Sequence, residues 1–118
     1  MRYLATLRSS QPPTPPPPGL MEAIMELGAE AVKAGVLLDT AGLAPSAVGG
    51  ARITVSGGEI SVTDGPFAET KEMISYAIYD VRDRAEAVEW TSRFLKLHRD
   101  LWPGWEGEGD VLQVFGGM

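Results

Sequence analysis

Between residues 20 and 35 the apolar side chains return every three to four positions. Leu20, Ile24, Leu27 and Ala31 form one stripe, flanked by Met21, Met25, Gly28 and Val32. That spacing predicts an amphipathic helix, and Gly35 stands where a helix C-terminus favours a left-handed residue. A second helix is predicted from Asp83, with Glu86 three residues on to complete a capping box. Its inward stripe is Ala87, Thr91, Phe94, Leu95 and His98, with Val88 and Trp90 at the margins. Elsewhere the period changes to two. Tyr3–Leu7 reads as a short strand, Val36–Leu38 as extended chain and Val111–Phe115 as a closing strand. ARITVS and EISVTD flank Gly57-Gly58, the composition of a two-residue hairpin turn. In that register Val55 faces Ile60 and Ile53 faces Val62 on one side, while Arg52 faces Thr63 and Thr54 faces Ser61 on the other. Met73–Val81 alternates with both faces apolar or aromatic: Ile74, Tyr76 and Ile78 against Met73, Ala77, Tyr79 and Val81. Such a strand is central and covered on both sides.

The order is strand, helix, three strands, helix, strand. It predicts an α+β fold, a ferredoxin-like sandwich of two helices on one antiparallel sheet with an added hairpin. Two layers bury only one sheet face, yet the central strand is apolar on the other as well. A homodimer packing sheet against sheet is the expected solution. At 118 residues the chain reads as one domain. QPPTPPPPG, residues 11–19, reads as a stiff surface spacer between strand and helix, or alternatively as a ligand for an SH3-type domain.

Composition removes several chemistries. Without cysteine, disulfides, thiolate metal sites and cysteine nucleophiles are excluded. The formal net charge is −6, and the ten basic residues are scattered. A direct nucleic-acid binder needs a basic stripe, so none is expected. MRYLATLRSS lacks a leader's apolar core, and no apolar run approaches the roughly 20 residues of a membrane span. A soluble, cytoplasmic protein is expected. With one histidine and no ligand cluster, neither a metal nor a cofactor is expected.

The densest chemistry is DGPFAETKE, Asp64–Glu72. Asp64 reads either as a turn carboxylate accepting backbone N–H groups or as a general base at a cleft mouth. Gly65 and Pro66 shape the turn, and Phe67 reads as a plug into the core. If the following residues are extended, Glu69 and Lys71 project to one side. They then form either a solvated pair or a pair in which Glu69 orients Lys71 toward an anionic substrate. Arg52 offers a planar fork to a carboxylate or phosphate, and Ser46 a hydroxyl donor.

The motif DGPFAETKE, preceded by AGVLLDTAGLAPS and RITVSGGEISVT and followed by EAVEW and LQVFG, resembles the DGPF-motif branch of the YCII-related family. The resemblance implies a dimeric α/β-barrel on a ferredoxin-like fold, and in some members a link with extracytoplasmic-function sigma factors. A His–Asp pair proposed as catalytic in other branches does not transfer, since His98 lies far from the motif. Leu112 stands where this branch often carries arginine. Two functions follow as expectations. One is a protein that binds a small-molecule ligand or regulates, in some cases beside a sigma-factor-linked partner. The other is an enzyme doing acid–base chemistry on a small anionic substrate, with Asp64 as the acid or base and Lys71, Arg52, Glu69 and Ser46 around the substrate.

Overall fold

In the computed structural model, which describes residues 1–10 and 14–116, six strands and two helices follow one another. They are β1 (Arg2–Ser9), α1 (Pro18–Lys33), β2 (Leu37–Gly42), β3 (Ala51–Ser56), β4 (Glu59–Asp64), β5 (Glu72–Asp80), α2 (Arg84–Leu101) and β6 (Gly107–Gln113). Four strands form an antiparallel sheet in the order β2-β5-β1-β6, and β3 and β4 form a separate hairpin. The fold is α+β, with two helices and an antiparallel sheet, consistent with the ferredoxin-like class. The central strands are β5 and β1, as the two apolar faces of β5 require.

Each helix end has a local cause. Helix α1 begins at Pro18, whose missing N–H costs nothing there. It closes with a Schellman motif: Gly35 (φ 75°) donates to the Val32 carbonyl at 2.9 Å and Val36 to that of Ala31 at 3.0 Å. At α2 the Asp83 carboxylate accepts the Glu86 N–H at 2.9 Å. The reciprocal half of the expected capping box is absent, because Arg82 holds the Glu86 side chain at 2.7 Å.

The helices cover the sheet face that carries Tyr3, Ala5 and Tyr79, which pack with Val81 and Ala87 into the core. Of the α1 stripe, Leu20 and Ala31 are buried; Met21, Met25 and Val32 remain exposed. The opposite sheet face is open. Leu4 lies between Ile78 and Leu112 in one cross-strand row, and Thr6 between Tyr76 and Asp110 in the next. On this face the Tyr76 hydroxyl donates to Asp39 Oδ2 at 2.9 Å. That hydrogen bond, then burial and the nearby charge, raises the Tyr76 pKa.

The closing strand differs from expectation. It begins at Gly107 and ends at Gln113, so Val114 and Phe115 lie outside it. Glu108 and Gly109 pair with Arg8 and Leu7. Glycine hides this strand, since its composition reads as loop, and the packing demands it. A Cβ on Gly107 would stand 2.6 Å from the Arg8 carbonyl and collide with the Trp105 ring. One on Gly109 would meet Leu95 at 3.0 Å. Of the proline segment, residues 11–13 lie outside the described residues, Pro18 and Gly19 belong to α1, and Thr14 accepts the Trp102 indole N–H at 3.2 Å.

Candidate functional site

The hairpin turns as its glycines predict, with Gly57 and Gly58 at φ 58° and 79°. The register is the expected one: Ser56 opposes Glu59, Val55 Ile60, Ile53 Val62 and Arg52 Thr63. Continuing outward, Ala51 opposes Asp64. Side chains alternate along a strand, so Asp64 shares the apolar face of Val62, whereas Arg52 lies on the polar face. The two residues expected in one cleft point to opposite sides.

The DGPF corner is built against the turn at residues 45–50. The Gly65–Pro66 peptide bond is cis. The Gly65 N–H donates to the Gly50 carbonyl at 2.9 Å, and a Cβ on Gly65 would overlap the Ser46 carbonyl, so only glycine fits. Ser46 organises the corner. Its hydroxyl accepts the Phe67 N–H at 2.9 Å and donates to Glu72 Oε1, and its own N–H donates to the same oxygen at 3.2 Å. The Asx-turn reading of Asp64 fails: among the described residues nothing donates to its carboxylate, and serine and glutamate do the work.

Phe67 is half-buried rather than a core plug. The Arg52 guanidinium lies 4.1 Å over its ring centroid, and Arg52 Nη2 meets Glu69 Oε1 at 2.5 Å. The chain from Gly65 to Lys71 is not a strand, so the alternation that put Glu69 beside Lys71 does not apply. Lys71 instead reaches Glu108 on β6 at 3.5 Å. The structure thus joins Ser46, Arg52 and Glu69 around Phe67, directs Lys71 to another strand and turns Asp64 away. Glu72 is the corner residue that sequence reasoning passed over. Its signal was a carboxylate heading a strand otherwise apolar on both faces, where a charge needs a partner.

Beside the corner lies a depression of about 120 Å³, lined by Leu43, Pro45, Glu69, Thr70, Glu72 and Met73 among others. A second void, of about 70 Å³ and mostly apolar, lies between the helices and the sheet. Among the described residues no three His, Asp or Glu side chains gather as metal ligands. His98 takes no part in the corner. It is 4% exposed, its Nδ1 lies 2.9 Å from the Phe94 carbonyl, and its ring packs against Phe94 and Trp105. Burial lowers its pKa, and the bond to Phe94 opposes that shift.

The family model for the YCII-related domain matches residues 1–95. The chain belongs to the YCII-related family. The match takes in the hairpin, the DGPF corner and most of α2, so every site residue of this YCII-related domain discussed above lies within it except Glu108 on β6. No curated protein matches the chain. No helix among the described residues is long and apolar enough to cross a membrane.

Proposed function

We propose that the chain is a cytoplasmic homodimer that binds a small molecule in the depression beside the DGPF corner, and that it acts by binding rather than by turnover. One observation carries this reading: the polar groups at the corner are already committed to one another. Arg52 is held by Glu69, Lys71 by Glu108, and the Ser46 hydroxyl by Glu72 and Phe67. The buried histidine offers no base nearby. Glu69 and Glu72 both line the depression, and carboxylates favour a neutral or cationic hydrogen-bond donor over an anion. A regulatory role beside an extracytoplasmic-function sigma factor fits the likeness of DGPFAETKE to the DGPF-motif branch. The homodimer is supported by the open apolar row Leu4, Ile78 and Leu112, and light scattering at micromolar concentration tests it.

The second reading is an acid–base enzyme acting on a small anionic substrate. It is supported by Asp64, whose carboxylate is exposed and takes no hydrogen bond from the described residues. Lys71, exposed and 3.5 Å from Glu108, would exchange that pair for an anionic substrate. A ligand-detected NMR screen of a metabolite pool, against wild type and a Glu69→Ala, Lys71→Ala variant, separates the two. Binding lost in the variant with no product formed is the expected result. Product that disappears in Asp64→Asn establishes the enzyme instead, and equal binding to both proteins removes the site from the corner.

A further inference from the structure

The apolar face of the β3–β4 hairpin is left uncovered by the described residues of its own chain. The hairpin joins neither edge of the four-stranded sheet, and all twelve of its strand residues are exposed. An isolated two-stranded hairpin is marginal in water at best. This one leaves Ile53, Val55, Ile60 and Val62 exposed at 64%, 70%, 72% and 66% on a single face. The projecting hairpin also shows in the radius of gyration, 15.9 Å, against roughly 13–14 Å for a compact domain of this length.

We propose that the hairpin is an arm that lies on the open sheet face of a second copy of this chain, and that it presents Asp64 to that copy rather than to its own DGPF corner. The inference rests on the homodimer proposed above and adds which surfaces meet and where Asp64 goes. The receiving surface is the row Leu4, Ile78 and Leu112, of which Leu112 is 59% exposed. One molecule carries both the apolar arm face and the apolar sheet row, so a two-fold axis matches each to its complement twice. A fully buried aliphatic side chain removes on the order of 100 Å² from water. These seven, already partly covered, therefore contribute roughly 500 Å² per protomer, most of the ~800 Å² a standard interface needs from each side.

The register dictates the fate of Asp64. It shares the face of Val62, so whatever covers Val62 also meets Asp64. On the receiving face Arg2 and Arg8 stand on either side of Leu4 along β1, opposite Asp80 and Glu108 on the neighbouring strands, and Asp39 and Asp110 share that face. Any site that uses Asp64 is then composite, with the acid from one copy and the sheet from the other.

The chain has no cysteine, so a nitroxide placed on Asp64→Cys labels one position only. Refolding unlabelled, spin-labelled chain together with ¹⁵N-labelled wild type makes mixed dimers in which broadening reports only across the interface. The expected result is loss of more than half the amide intensity at Leu4, Ile78 and Leu112, with Glu26 on α1 unaffected. A dimer without that broadening overturns the arm while leaving the homodimer standing; a monomer overturns both. As a second variant, Val55→Asp with Ile60→Asp is expected to yield a folded monomer, and a persisting dimer contradicts the proposal.

Discussion

Arg52 and Asp64 stand on opposite faces of one hairpin, because Arg52 opposes Thr63 while Asp64 opposes Ala51, one position further out. The polar face turns to Phe67 and Glu69; the apolar face, with Asp64 at its root, is left exposed by the described residues. The two charges of the motif region consequently serve different surfaces, and substitutions at them separate.

Ser46→Ala removes the acceptor for the Phe67 N–H and a donor to Glu72. A half-buried group left unpaired costs about 1–3 kcal/mol. We expect a loss of that size in urea unfolding, with the slope unchanged. Glu72→Gln keeps an acceptor for Ser46 and loses less. Equal stability of Ser46→Ala and wild type would show that the corner is held by backbone alone.

Arg52 and Glu69 form a pair in contact with solvent. A double-mutant cycle with Arg52→Ala and Glu69→Ala is expected to give a coupling below about 1 kcal/mol that shrinks in high salt. Arg52→Lys should lose part of the stacking on Phe67, since an ammonium does not reproduce the planar contact.

Gly107→Ala drives a Cβ into the Trp105 ring and toward the Arg8 carbonyl. Overpacking of this kind costs about 1–3 kcal/mol. The expected signature is a lower unfolding midpoint with a shifted Trp105 indole resonance. A shift of the midpoint without any change at Trp105 would place the cost elsewhere.

His98 sets a pH dependence. Burial depresses its folded-state pKa below the unfolded value, so the unfolded chain binds the proton more readily. Its contribution to stability is therefore complete above the unfolded pKa, about 6.5, and is lost as pH falls through the folded value. Unfolding midpoints at pH 7.5 and 5 should show a drop in wild type that is smaller in His98→Phe. An equal drop in both would assign the acid sensitivity to other groups.

Much of this fold was legible because it depends on neighbours in sequence. The helical stripe from Leu20 to Ala31, the Gly35 stop, the Asp83 cap and the Gly57-Gly58 turn each follow from contacts within a few residues, and each stands in the structure. The hairpin register, which turns Asp64 away from Arg52, was also contained in the sequence, since a two-residue turn and strict alternation leave no freedom. Three features depend on residues far apart in the chain. Strand β6 is concealed by glycines whose reason is contact with Trp105, Leu95 and Arg8. Lys71 finds Glu108, 37 positions on, and Ser46 finds Glu72, 26 positions on.

The sequence by itself determined the two helices, the β3–β4 hairpin, the order of the elements and the two-sided character of β5, because propensity, capping and hydrophobic period act locally. Only the tertiary structure decided which charges pair at the corner and which apolar faces stay open. Charge pairing depends on where separate strands end in space, and an open face exists only once the helices have taken the other.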